Sequence, residues 1–271
     1  MRNLLTSAEV ARLTGVGPTA VKRWADSGAL PCIRTAGGHR RFRREDVDRM
    51  LARTSNGDPG AIWSDWIDVL LHDVDSYAVQ SLLFGERARR GSWHEVARHL
   101  GDLLTEIGRR WEAGSLSVLD EHVASSALQR GISAVVDAMP GDPEAPRCLL
   151  AAAEQDDHTL GLSLVELCLR EAGWRSEWAG ARTPVGTIVE RVDRGDLAMV
   201  ALSASRTMKD EAALLRTADD AAAACKAAGA ALVLGGGGAW PGAHAYARRF
   251  HDLRDFYAFA LDERSRRPGV S

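Results

Sequence analysis

No stretch of this chain is apolar over the roughly 18 residues that a membrane span requires. The residues after Met1-Arg2-Asn3 lack the apolar core of a signal peptide, so a cytoplasmic protein with no membrane partner is expected. Paired cysteines are missing too. Cys32, Cys148, Cys168 and Cys225 lie far apart and form no C-x-x-C unit. That argues against a structural zinc site and leaves packing as the role of the last three. The chain carries no Ser-His-Asp set, no P-loop and no metal-hydrolase motif, so no enzyme activity is expected.

What is present is an ordinary soluble composition of 45% hydrophobic and 26% charged residues over 271 positions, enough for two domains or three small ones. The net charge of −3 hides an asymmetry. Residues 1–54 hold 11 Lys/Arg against 5 Asp/Glu, about +6, which leaves about −9 on the remainder. A small basic module on an acidic body suggests a head that binds a polyanion.

The head reads as two short helices. Leu4 to Val16 forms the first, capped by Thr6 or Ser7 and ended by Gly15. Pro18 opens the second, which runs from Thr19 to Ser27 before Gly28 stops it. Helix, short turn, helix is a helix-turn-helix pattern. Arg34 to Arg44 follows, with Gly37-Gly38 as a tight turn between two extended arms. Glu45-Asp46-Val47 opens a further helix with acids at its positive end. Thr19, Lys22 and Arg23 fall on the exposed side of the second helix, suited to a major groove. Arg40, Arg41 and Arg43 on the wing are suited to phosphates. Trp24 groups with Val21, Leu30 and Phe42 as core. Residues 3–53 resemble the MerR family of winged-helix transcription regulators, which implies double-stranded operator DNA as partner.

Thr54 to Gly60 reads as a linker. Four helical segments follow, Trp63–Leu71, Asp75–Arg90, Ser92–Trp111 and Ser117–Met139, joined by short connections that imply a four-helix bundle. Gly141 to Pro146 is a second linker. Strands and helices then alternate. Strands are expected at Cys148–Ala153, Arg175–Ala179, Leu197–Leu202, Ala230–Leu234 and, more weakly, Phe256–Ala260. Helices are expected at Thr159–Ala172, Pro184–Arg194, Asp210–Ala228 and Gly242–Phe250. The fold class is therefore multidomain α and α/β. A winged helix (1–54) precedes a helical bundle (62–140) and a flavodoxin-like, Rossmann-type parallel sheet (147–265).

Ligand sites of open α/β sheets lie at the carboxyl ends of strands. Three loops fall there: Asp156-Asp157-His158-Thr159-Leu160-Gly161, Ser203-Ala204-Ser205, and Gly235-Gly236-Gly237-Gly238. The spacing Asp-x-His-x-x-Gly, with the Ser and Gly-Gly loops in order, resembles cobalamin-binding domains over residues 147–261. The resemblance implies cobalt held from below by His158, with Asp156 fixing its tautomer. It also implies a displaced nucleotide tail passing Gly161, Ser203, Ser205, Gly235 and Gly236. Ser205 departs from the usual Ser-x-Leu.

Trp111, nine intervening residues and Glu121-His122 resemble the cap of light-sensing cobalamin regulators of the CarH type. That implies adenosylcobalamin, or another cobalamin, covered on its upper face by Trp111, Glu121 and His122. It also implies a homo-oligomer, dimer or tetramer, that binds DNA in the dark and releases it in light. Such sensors carry a second His directly after the Trp; here Glu112 stands in that place. His94, His99 and His122 are the alternatives in the bundle. The alternative function is a light-independent regulator sensing cobalamin or another tetrapyrrole, with biliverdin as a possible second chromophore. A corrinoid carrier for a methyltransferase is the remaining alternative, and it would have no use for the winged helix.

Overall fold

The computed structural model describes residues 4–14, 17–26, 28, 30–35, 37–51, 66–71 and 76–267, without the side chains of Ala20, Arg23, Leu51, Ser76 and Tyr77. The helix stop expected at Gly15, the linker at 54–60 and the helix start at Trp63 lie outside those residues. The chain divides into two compact units, Met1–Pro140 and Gly141–Ser271.

In the first unit, β1 (Leu4–Thr6) leads straight into α1 (Ser7–Thr14), which is followed by α2 (Pro18–Asp26). β2 (Ile33–Arg34), β3 (Arg40–Arg43) and α3 (Arg44–Leu51) complete the head. Leu4 to Thr6 is strand rather than the start of a helix. It pairs antiparallel with β3, which also pairs with β2, in the order β1-β3-β2. Thr6 sits at the junction and closes a reciprocal cap. Its hydroxyl accepts from the Glu9 N–H at 3.2 Å, and the Glu9 carboxylate accepts from the Thr6 N–H at 2.7 Å. Val10, Val21, Leu30, Phe42 and Val47 are fully buried and form the head's core.

The bundle consists of helical residues 66–71, α4 (Ser76–Arg90), α5 (Trp93–Glu112) and α6 (Val118–Ala138). Its apolar stripes close on Trp66, Leu70, Leu83, Phe84, Leu100, Leu103, Leu128 and Ile132, all at most 1% exposed. Ser117 caps α6. Its hydroxyl accepts from the Asp120 N–H at 3.1 Å, and the Asp120 carboxylate accepts from the Ser117 N–H at 3.0 Å. Helices α1 and α3 pack on α4, so head and bundle share one unit.

The second unit is a five-stranded parallel sheet in the order β5-β4-β6-β7-β8. The strands are β4 (Arg147–Ala152), β5 (Arg175–Gly180), β6 (Met199–Ser203), β7 (Ala231–Gly235) and β8 (Arg248–Arg249). The helices are α7 (Leu160–Glu171), α8 (Val185–Val192), α9 (Glu211–Ala228) and α10 (Leu253–Ser265). Strand order 2-1-3-4-5 is the flavodoxin-like winding. β6 is buried at every residue, and β4 at all but its first, because helices cover both faces.

Two expectations fail at the carboxyl end of the chain. Gly242–Phe250 is not a helix, and Phe256–Ala260 is not the fifth strand. After Gly242 the chain turns at His244, whose Nδ1 accepts from the Tyr246 and Ala247 N–H groups at 3.1 and 2.9 Å in place of helical carbonyl partners. The edge strand is instead the two-residue β8. Asp252 then caps α10, its carboxylate accepting from the Arg254 N–H at 2.6 Å. Phe256, Phe259 and Ala260 are buried at a helical spacing that a short apolar run does not distinguish from a strand.

Candidate functional site

The Asp156 loop leaves β4 at its carboxyl end, where the neighbouring strand β6 hands over to Ser203-Ala204-Ser205. Asp156 is 1% exposed and accepts four hydrogen bonds. Two come from His158, from its backbone N–H at 3.1 Å and its Nδ1 at 2.8 Å. Two come from Ser205, from its backbone N–H at 2.5 Å and its hydroxyl at 2.9 Å. A carboxylate only accepts, so Nδ1 carries the imidazole proton and Nε2 keeps a lone pair. The His158 side chain is 61% exposed, which presents that lone pair outward. Ser205 is thus not a defect in the motif. It anchors Asp156 rather than facing the cleft.

Arg182, on the loop after β5, clamps the same segment. Its backbone N–H donates to the Asp156 carbonyl at 3.0 Å, and its guanidinium pairs with Asp157 through both carboxylate oxygens. That pair holds the Asp157 carboxyl below its usual range. Arg182 adopts a φ of 48°, the left-handed region. Neither the pair nor this backbone conformation is readable from the chain, because the partners are 25 residues apart.

Beside this loop a cleft of about 200 Å³ opens between the strand ends and α7 and α10. Gly161, Ser203, Gly235 and Gly236 line it, together with Leu162, Phe250, His251 and Phe256. The sequence placed the first four here and missed the aromatic wall, since it misassigned the segment that carries it. The glycines do different work. A Cβ on Gly235 would meet nothing within 4 Å, so that position keeps the cleft open. Gly236 has a φ of 84°, and a Cβ there would lie 2.2 Å from the Ala204 carbonyl oxygen. Its bareness lets the two loops pack together.

In the first unit, Gly114 reverses the chain after α5. Trp111 (46% exposed), Glu112 and His122 are exposed at this corner, and Glu121 is half-buried. Glu121 accepts from the Ser125 hydroxyl at 2.7 Å. The Nδ1 of His122 donates to the Val118 carbonyl at 2.8 Å, which leaves Nε2 as an acceptor. His94 and His99 sit toward the other end of α5, about 25 and 18 Å along the axis from Trp111. Only His122 of the three alternatives belongs to this corner.

In the head, Thr19 and Lys22 are exposed on α2, and the Arg23 side chain lies outside the described residues. The wing arginines are not equivalent. Arg40 grips Asp26 at the end of α2, with one nitrogen 2.5 and 2.8 Å from the two carboxylate oxygens. Arg41 is half-buried and donates to the Arg40 carbonyl at 3.0 Å. Arg43 is exposed. Arg40 therefore braces wing against helix, while Lys22 and Arg43 face solvent.

These features define a class of protein, a DNA-binding head fused to modules that hold a corrinoid. Residues 4–55 match the family described as a helix-turn-helix domain. Residues 70–135 and 146–252 match two families described as B12 binding domains. The chain is a helix-turn-helix domain fused to B12-binding domains. It is 29% identical to the HTH-type transcriptional repressor CarA of Myxococcus xanthus over 242 residues, 77% of this chain and 80% of that one. It is 30% identical to the HTH-type transcriptional repressor CarH of the same organism over 124 residues, 44% of this chain and 41% of that one. The fold also resembles the solved Methanosarcina barkeri monomethylamine corrinoid protein, at 17% identity and a TM-score of 0.53. That likeness covers 76% of this chain and 99% of that one. Among the described residues no helix is long and apolar enough to cross a membrane.

The residues present fit a corrinoid. One imidazole offers a lone pair with its other nitrogen fixed by a buried carboxylate, the arrangement metal-ligating histidines use. The adjoining cleft is apolar and has a hydroxyl, Ser203, at its wall.

Proposed function

We propose that this protein is a MerR-type transcription regulator whose hold on operator DNA is set by adenosylcobalamin and light. The observation that carries the reading is the Asp156–His158–Ser205 network beside an apolar cleft, in a chain whose described head residues form a winged helix-turn-helix. Bound cobalamin would supply a cobalt–carbon bond that light can break. His158 would hold the cobalt from below through Nε2, with Asp156 and Ser205 fixing the ring. The cleft past Gly161, Ser203, Gly235 and Gly236 would take the nucleotide tail. Trp111, Glu121 and His122 would cover the upper face, and Thr19, Lys22, Arg23 and Arg43 would contact DNA. The working form would be a cytoplasmic homo-oligomer, dimer or tetramer, because linked heads raise effective concentration at the operator.

Glu112 favours a second reading, a light-independent sensor of cobalamin or another tetrapyrrole. A carboxylate is a poor ligand for cobalt beside imidazole, so Glu112 is a poor replacement for a second His after the upper group is lost. His122 is the alternative ligand at that corner. The absorption spectrum of the protein purified with adenosylcobalamin, before and after green light, separates the two. A lasting shift, abolished by His122→Ala, supports the photosensor. An unchanged spectrum rejects it, and a strong red or far-red band indicates biliverdin as a second chromophore.

A further inference from the structure

The two helices that carry the cap residues also hold the DNA-reading domain. α5 bears Trp111 in its last turn and Trp93 as its first residue, about 27 Å away along the axis. α6 bears Glu121 and His122 near its start and Ala138 at its end. The far end of α6 touches the head directly, and that of α5 reaches it through Phe84 on α4. The Trp93 ring lies 5.8 Å from Phe84 on α4, edge to face. Phe84 in turn lies 4.7 Å from Trp24 on α2, again edge to face. The Ala138 carbonyl accepts from the Gly17 N–H at 2.8 Å, one residue before α2 begins. α2 is thus held at its start by α6 and in its second half by Phe84, which Trp93 backs from the other side. Phe84 and Trp93 are both 1% exposed and Trp24 is 8% exposed, so the joint is packed and dry.

We infer that Phe84 is a positioning residue for DNA recognition, through which the place of α5 in the bundle sets the orientation of α2. Helices are stiff over this length, and close-packed interiors transmit displacement instead of absorbing it. A shift of the cap corner therefore reaches the recognition helix within one chain, separately from any change in assembly. The identity of the cap's ligand rests on the function proposed above; the joint itself does not.

Two measurements on the full chain test this. Trp24 is also head core, so the informative change is made on the bundle side, as Phe84→Leu, with Trp24→Phe as its partner in a double-mutant cycle. The first measurement is thermal unfolding of parent, both single variants and the double variant. Non-additive shifts are expected for rings in contact, and additive shifts overturn the joint. The second is affinity for a duplex that the parent selects from a random pool, measured in the dark with and without adenosylcobalamin. The parent's affinity is expected to change on loading. Phe84→Leu is expected to shrink that ratio at least threefold while its adenosylcobalamin titration stays the same. A variant that keeps the full ratio overturns the inference, as does a loaded parent with unchanged DNA affinity. A parent that takes up no cobalamin overturns the proposed function instead, and the unfolding cycle still decides the joint.

Discussion

Asp156 decides what His158 can do. With its carboxylate buried and four donors converging on it, the imidazole has one tautomer and one orientation. An amide in its place would turn an NH2 group toward donors from His158 or Ser205, so one bond is replaced by a repulsive contact. Asp156→Asn is therefore expected to weaken adenosylcobalamin binding by about 10–100-fold, the usual loss when the partner of a metal-ligating His is removed. An absorbance titration measures it, with circular dichroism confirming that the fold is kept. Wild-type affinity in that variant would mean that the tautomer is held by something other than Asp156.

At the scale of elements, the bundle carries a second buried cluster whose chemistry differs from the cap. His99 on α5 lies 3.9 Å from Glu86, a carboxylate 1% exposed that also binds Arg89 and Arg90. Burial, with the Arg90 charge adding to it, pushes His99 down from 6.5 to about 4. The unfolded chain then binds a proton below about 6.5 that the folded bundle refuses until about 4. Stability is complete above that window and falls as pH drops through it, by about 1–3 kcal/mol for a shift of this size. Denaturant unfolding at pH 7 and pH 5 measures the slope. His99→Gln is expected to flatten it, and an unchanged slope would place the titration elsewhere.

The elements also show what the residues alone made legible. The order of helix, turn, helix and wing could be read directly, because glycine and proline mark each boundary. The first four strands of the α/β unit could be read for the same reason. Leu4–Thr6 could not, since a three-residue strand exists only through its pairing with Arg41–Arg43. Nor could Arg40, whose partner Asp26 lies 14 residues earlier on another element. The aromatic wall of the cleft was lost because Phe250 and Phe256 suit a strand or a helix equally, and Asp252 settles the choice only through its cap.

The whole molecule joins a small basic head to an acidic body, and two stretches of that body, residues 70–135 and 146–252, match B12 binding domains. The three strand-end loops and the Trp111 corner were each weak as isolated motifs. The fold makes the loops one site, with Ser205 joining the second loop to the first and Gly236 allowing the third to pack on the second. The most direct test of the central claim is the cobalt absorption spectrum of the full chain loaded with adenosylcobalamin, compared between parent and His158→Ala. The parent is expected to show imidazole bound below cobalt, and the variant to lose that signature and most of its affinity. Identical spectra and affinities in the two proteins would contradict the account.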